Sequence, residues 1–515
     1  MGSLEPRGER RVLYNSDPSN TTAFYSDPAR PDELRRWVRN MAVMGHIDTY
    51  VQEVFAEAMT MFWQSAHCPY DERYQHQRFV PMMENGLMPL EVLAAECHRQ
   101  GMEFIAGFRM NDRHGHHPDH FEALGKIHPE WILRDYKPSW RGAPAKSHAV
   151  GCSLDYSQNG VRDLLFAIIE ELTSRFDIDG IEFNFTRLLE CFPREKAEAS
   201  QPIMTEFIQR VRIMLDDYGG RRPQGGKALL FGARVPQQLE GCKKWGLDIA
   251  TWIEEGLVDY VAPSDFGFTD FNETYEDFTA LGRKHGCLVY PQVQARLKLR
   301  DDRDQTLEQY RAALQNFYAA GADGFSTQNY FFQWGPKFEP PGHEGLTKPE
   351  KLSAALGYLK LLRDPAALRT GDRHYPYYPL WGSGGNSAGI SGIYKPEQIV
   401  LERRDRQARG AFRFRLCEHL QQAAGATLLL RPGIVRGDEI EVSREGGLSR
   451  MDRALIKEAV SSGSKARAGL MVVENDEVLI FEVAMHGIRD VSQFSLRGGG
   501  KRTGDSTSVR KEFFE

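Results

Sequence analysis

The sequence predicts an α/β fold: a (β/α)8 TIM barrel followed by a C-terminal β-sandwich. Three observations predict it. From residue 11 to about 370, strand-like and helix-like segments alternate, and alternation with short strands implies a parallel sheet. Eight such units span about 360 residues, which fits a barrel with insertions better than an open doubly wound sheet. Near residue 375 the period changes, and only short strands with turn signals follow.

In order, RVLYN (11–15) is a short apolar strand. IDTYVQEVF (47–55) is the second, although MAVMGHIDTYVQEVFAEAMTMFW also reads as one long helix. The helical stretch PLEVLAAECHRQ (89–100) precedes EFIAGFRM (103–110). QNGVRDLLFAIIEELTSRF (158–176) has apolar residues at helical spacing and leads into IDGIEFNF (178–185). Helix 202–219 precedes ALLFGARV (228–235), and DIATWIEEG (248–256) precedes LVDYVAP (257–263). NETYEDFTALGRKHG (272–286) precedes CLVYPQVQ (287–294), helix 303–321 precedes DGFSTQNYF (323–331), and helix 348–364 closes the series. Gly or Asp stands at most helix-to-strand junctions, as stop signals should. The expected organisation is a barrel over 11–370, a Gly/Pro/Tyr-rich linker over 371–395 and the sandwich over 396–515 with a polar tail. Its strands would be FRFRL (412–416), TLLLRP (427–432), DEIEVS (438–443), GLMVVEN (469–475), EVLIFEVAM (477–485) and SQFSL (492–496).

Composition narrows the function. The 515 residues carry a net charge of −6, without the basic footprint of a nucleic-acid binder. Residues 375–515 are net +3 and the barrel portion is net −9, which suits neutral or cationic substrates better than polyanions. No apolar run of about 18 residues predicts a membrane span. The polar start MGSLEPRGERR has no signal-peptide core, so the expected location is cytoplasmic. Seven scattered cysteines without a CxxC pair predict neither a disulfide framework nor a structural zinc site.

Barrel active sites lie at the C-terminal ends of the strands. That rule selects candidates: Asn15 and Asp17 at the first strand, Asp48 in the second, and Arg109, Asn111, Asp112 and His114 at the third. Glu182, Asn184 and Arg187 follow at the fourth, Arg234 at the fifth and Asp265 after the sixth. Gln292 and Gln294 stand on the seventh, and Gln328, Asn329 and Tyr330 end the eighth. Strand alternation puts Glu182 and Asn184 inward and Ile181, Phe183 and Phe185 under the helices. An inward Glu182 is either a catalytic carboxylate or the structural partner of Arg109 or Arg234. Asp265 and Asp112 are catalytic groups or turn-stabilising Asp residues. Tyr330 and Trp334, with neighbouring aromatics, would form a platform for sugar rings. His114, His116, His117, His120 and His128 lie in a Gly/Pro-broken run without ligand spacing, so no metal and no cofactor are expected. Of these, His114 is near enough to a strand end to contact substrate. No P-loop and no GxSxG elbow is present.

The stretches RMNDRHG, HPEWIL and LDYSQNGVRDLLFAIIEELTSRFDIDGIEFNF resemble the family-ten-like glycosyl hydrolase group of barrel proteins. So do ARVPQQLEGCKKWGLDIATWIEEGLVDYVAPSDF and AAGADGFSTQNYF, and the resemblance spans about residues 11–365. It implies a glycoside hydrolase with a carbohydrate substrate, two carboxylates flanking the glycosidic bond. Glu182 and Asp265 are the expected pair, with Asp112 in reserve. Arg109 and Arg234 would lower the pKa of an adjacent carboxylate. Asn111, Asn184, Gln292, Gln328 and Asn329 would hold hydroxyls, and Asn15, Asp48, His114, Arg187, Tyr330 and Trp334 would line the site. In many related barrels the fourth strand reads D-G-I-x-x-D, but the last position here is Asn184 and the acid is Glu182. LVYPQVQ also lacks the Glu that is the nucleophile of the large retaining clan. Two alternatives follow: a non-catalytic carbohydrate-binding barrel, and a metal-dependent hydrolase, lyase or isomerase using the Asp/His group after the third strand.

Overall fold

The computed structural model describes residues 10–18, 22, 25–111, 124, 126–133, 153–187, 189–222, 228–264, 269–296, 304–334 and 349–377, with 415–417 and short strand segments between 410 and 512. The barrel strands are β1 (Val12–Ser16), β2 (Thr49–Ala56), β3 (Glu103–Arg109), β4 (Gly180–Asn184), β5 (Leu230–Val235), β6 (Tyr260–Pro263), β7 (Leu288–Val289 and Gln292–Gln294) and β8 (Phe325–Gln328). All neighbouring pairs among them are parallel. Leu288–Val289 pairs with β6, and Gln292–Gln294 pairs with β8. The strand path thus begins and ends on the two halves of one strand, and the sheet closes on itself.

The helices are α1 (Pro31–Gly45), α2 (Pro89–Arg99), α3 (Asn159–Arg175), α4 (Gln201–Gly220), the short pair α5 (Leu239–Lys244 and Ile249–Glu254), α6 (Glu276–His285), α7 (Leu307–Ala319) and α8 (Pro349–Leu362). The ambiguous second unit is resolved at its cap. Pro31 opens α1, a position where the missing N–H costs nothing. His46 adopts a left-handed φ of 48° and closes the helix, so the chain re-enters as β2 instead of continuing as one long helix.

Alternation sorts the side chains as expected for β4. Phe183 meets Phe207 of α4 in a stacked pair at 6.0 Å and Phe231 of β5 edge-on at 4.9 Å. The outward set therefore packs beneath the helices. Inside the ring a small apolar cluster of Leu13, Tyr260 and Tyr290 fills the barrel. Gly232 makes that filling possible, because a Cβ there would meet the Tyr260 ring at 2.0 Å.

The amino ends of the strands are stapled by a repeated device. Asp48, Asp179 and Asp259 directly precede β2, β4 and β6, and Asp323 stands before β8 with one residue between them. Each accepts a backbone N–H from the preceding strand in the ring: Val12 at 2.9 Å, Phe104 at 2.8 Å, Phe231 at 2.7 Å and Val289 at 2.9 Å. A carboxylate bonded to backbone N–H groups is among the stronger hydrogen-bond acceptors.

Beyond the barrel, Arg373–Tyr377 is a strand inside the segment expected as linker. It pairs antiparallel with Leu479–His486, which also pairs with Gly425–Pro432. A second antiparallel sheet joins Gly410–Ala411, Leu470–Val472, Glu441–Arg444 and Gly447–Ser449. Residues 415–416 of the expected strand FRFRL (412–416) are not strand, and SQFSL lies outside the described residues.

Candidate active site

The carboxyl ends of the strands gather a buried polar ring around two carboxylates. Glu53 comes from β2 and Glu182 from β4, and both are wholly buried. Glu53 accepts from Asn184 Nδ2 at 2.7 Å, from Asn15 Nδ2 at 3.3 Å and from the Arg109 guanidinium. Arg109 also donates to Asp17 at 2.5 Å. Room for Glu53 is made by Gly107 on β3, where a Cβ would stand 3.2 Å from the Glu53 Cα and Cγ. Asn184 is fixed by its other end, since its Oδ1 accepts from the N–H and hydroxyl of Thr186 at 3.0 and 2.8 Å.

Glu182 stands in a second group. It accepts from Arg234 Nε at 3.0 Å and from the Tyr260 hydroxyl at 3.1 Å. Arg234 donates its Nη1 to Gln292 at 2.7 Å. Burial pushes the Glu182 carboxyl above the usual carboxylate range, against the pull of Arg234, and the nearby Glu53 charge pushes the same way. The alternative left open by the sequence, a pair with Arg109 or Arg234, is thus realised with Arg234. Among the described residues, Arg234 Nη2, Asn15 Oδ1 and both amide atoms of Gln328 are buried without a hydrogen-bond partner. β8 sits between β1 and β7, so Asn15 and Gln328 are neighbours at the mouth, while Arg234 on β5 reaches toward β7 through Gln292.

Other expected residues fall elsewhere. Asp48 is at the opposite end of the barrel, where it also accepts from Arg11 N at 2.8 Å and from Arg363 at 2.5 Å. It precedes its strand instead of ending it, so it cannot line the mouth. Asn111 ties loops together, accepting from Leu154 N at 2.9 Å and donating to the Leu154 carbonyl at 3.2 Å. Tyr330 donates its hydroxyl to the Ala355 carbonyl of α8 at 2.9 Å and packs on Tyr14 and Trp334. Trp334 packs on Trp37 of α1. Both rings are core, with apolar neighbours where a sugar platform was expected. Asn329 turns the chain with a left-handed φ of 50°. Arg187 is buried just beyond β4. Asp112, His114 and Asp265 lie outside the described residues. Among the described residues no group of three His, Cys, Asp or Glu side chains could hold a metal ion, and no helix is long and apolar enough to cross a membrane.

Sequence reasoning missed Glu53. The signal was present in TYVQEVFA, where one acid interrupts an apolar strand, but the uncertain helix-or-strand reading of that stretch hid it. It also missed His76, in the connection after β2. His76 is wholly buried, with its Nε2 3.7 Å from Asp71, and burial lowers its imidazole pKa to about 3. Asp17 and Arg109 are close enough to act on its charge, so this group borders the ring.

Residues 20–201 match the family model of the glycosyl hydrolase-like 10 proteins. The matched segment contains Glu53, Arg109, Glu182 and Asn184. The chain is also similar to α-L-fucosidase isoenzyme 2 from Paenibacillus thiaminolyticus, at 13% identity and a TM-score of 0.41, covering 68% of this chain and 49% of that one. The chain therefore spans about half the length of that fucosidase. The PgaB (BpsB) glycoside hydrolase domain from Bordetella bronchiseptica is similar at 12% identity and a TM-score of 0.42, covering 69% of this chain and 98% of that one. The GH36 α-galactosidase AgaB from Geobacillus stearothermophilus is similar at 13% identity and a TM-score of 0.38, covering 94% and 56% respectively. No curated protein sequence matches the chain.

Proposed function

We propose that the protein is a glycoside hydrolase that seats a neutral carbohydrate in the carboxyl-end mouth of its barrel. The observation that carries this reading is the set of buried, unpartnered donors and acceptors on Asn15, Arg234 and Gln328, beside two carboxylates. Buried polar groups without partners call for a polar ligand or ordered water, and a polyhydroxyl ligand supplies both donors and acceptors. The match to glycosyl hydrolase-like proteins over residues 20–201 agrees with it. Arg109 and Arg234, the guanidinium groups described in the ring, are each paired with a carboxylate, which favours a neutral over an anionic sugar.

In this reading Glu182 is the general acid. Its raised pKa favours the proton-bearing form that protonates the leaving glycosidic oxygen. Asp265, one residue beyond Ser264 at the end of β6, is the ionised partner that attacks C1 or activates water, with Asp112 in reserve. The proton passes to the leaving oxygen, the C1–O bond breaks, and water supplies the new hydroxyl. The barrel over 11–370 would do the chemistry and the β-rich region beyond 396 would be a sandwich accessory to it.

Hydrolysis of a panel of chromogenic and natural glycosides tests the proposal. Glu182→Gln and Asp265→Asn should each reduce turnover by at least about 100-fold, in protein confirmed as folded by circular dichroism. Near-normal turnover in either variant removes that residue from the pair. One observation favours a second reading, a binding barrel without turnover: both Glu182 oxygens are engaged by Arg234 and Tyr260. Sugar binding by the wild-type chain, with no hydrolysis across the panel, would select it.

A further inference from the structure

The segment 415–417 of the C-terminal region lies against the connection that follows β6. Arg415 donates its backbone N–H to Asn272 Oδ1 at 2.8 Å, and its guanidinium pairs with Glu276 at the start of α6. Asn316 on α7 donates from one Nδ2 to two carbonyls, Phe271 at 2.7 Å and Arg415 at 2.8 Å. A single amide thus bridges the connection and the C-terminal segment.

The connection so held touches the ends of two strands, β5 and β7. Thr269 accepts from Gln294 N at the end of β7, at 2.9 Å. The Tyr275 hydroxyl accepts from Gln237, just past β5, at 3.0 Å. Glu273 accepts from Gln238 at 3.1 Å and from Thr274 N at 2.9 Å. Residues 269–275 therefore span the β5-to-β7 side of the barrel mouth.

We propose that the 415–417 segment is a positioning strap, through which the C-terminal region holds the β6–α6 connection in place against the mouth. The strap works through the Asn272–Arg415–Asn316 hydrogen bonds and the Arg415–Glu276 pair. The C-terminal region then does more than append to the barrel, because it sets the geometry of the part of the connection that carries Glu273. Glu273 reports on that geometry. Burial and the neighbouring Asp270 push its carboxyl up to about 8, and Gln238 faces it from the β5 side. Loosening the connection lets water reach this group.

The inference rests on the mouth being the working face, but its readouts need no substrate, so their failure leaves the hydrolase reading standing. The full chain carrying Asn272→Ala and Arg415→Ala is compared with wild type by hydrogen exchange and by carboxyl NMR titration. Exchange at residues 270–276 should rise at least about tenfold, equivalent to about 1.4 kcal/mol of lost protection. The Glu273 midpoint should fall from about 8 toward the ordinary 4.5. Arg415→Lys, which keeps the ion pair and the backbone bonds, should remain near wild type in both. Unchanged exchange with an unchanged midpoint overturns the proposal. So does a rise spread equally over the β4 and β5 amides, which would mark general destabilisation and not a strap.

Discussion

At position 184 an amide faces a carboxylate, and its Nδ2 donates to Glu53 at 2.7 Å. An Asp in that place would set two carboxylates within hydrogen-bonding distance, where both cannot ionise. Asn184 is therefore matched to Glu53, and the departure from the D-G-I-x-x-D pattern has a local cause. Asn184→Asp should cost about 2–4 kcal/mol at pH 7. The new carboxyl's folded pKa is raised, so the loss should shrink as pH falls from 7 through that raised value and vanish below about 4, which melting at pH 7 and below about pH 4 would show. His76 and Glu273 make opposite predictions. The His76 pKa is lowered to about 3, below its unfolded value. Its neutral form is compatible with the fold, so stability is present above about 6.5 and declines as pH falls toward 3. The Glu273 pKa is raised to about 8. Stability linked to its proton is therefore present below about 4.5 and lost as pH rises through 8. Each limb should have a slope of at most about 1.4 kcal/mol per pH unit. His76→Gln should flatten the acid limb and Glu273→Gln the alkaline limb in urea-unfolding series. A limb that keeps its slope in the matching variant would assign that linkage to another group.

Strand and helix positions were legible because each barrel element has its own apolar period and its own stop signal. IEFNF placed Phe183 outside and Glu182 inside before any contact was known, and the Phe183–Phe207 stack agrees with it. What was not legible depends on which end of a strand a polar residue occupies. Asp48 and Asn15 are both polar residues beside apolar strands, yet one staples the amino ends and the other lines the mouth. The difference is one of direction along the strand, and the ambiguous start of β2 concealed it. Tyr330 and Trp334 failed for another reason. Aromatic rings after a strand serve a mouth or a helix–barrel core equally well, and only the position of α1 and α8 decides. Asp48→Ala should leave the N–H groups of Arg11 and Val12 without their acceptor and cost about 1–3 kcal/mol. Its effect on sugar affinity should be negligible, because the residue is a barrel length from the ring. A large affinity loss with unchanged stability would return Asp48 to the site.

At the scale of the whole molecule, the break in sequence period near residue 375 falls inside a strand, Arg373–Tyr377, that meets both the barrel helices and the β-rich sheet. Tyr375 is almost wholly buried and belongs to the same apolar core as the barrel helices. Next to it, His374 meets Gln309 of α7 at 3.3 Å. Arg373 donates to the carbonyls of Gly371 and Leu368. The same five residues pair along Leu479–His486, so one strand is at once barrel flank and sheet member. Composition could not reveal this, since Tyr and Pro are common both in linkers and in edge strands. A shared strand couples the two parts, because unpacking it from α7 also removes an edge from the sheet. Tyr375→Ala in the full chain should therefore cost about 3–5 kcal/mol, the range for emptying a large buried aromatic site. The loss should appear in a single transition when near-ultraviolet dichroism follows the barrel aromatics and hydrogen exchange follows residues 479–486. Two separate transitions, with the barrel signal unmoved by the substitution, would show instead that residue 375 belongs to the β-rich region alone and that the period break is the true boundary.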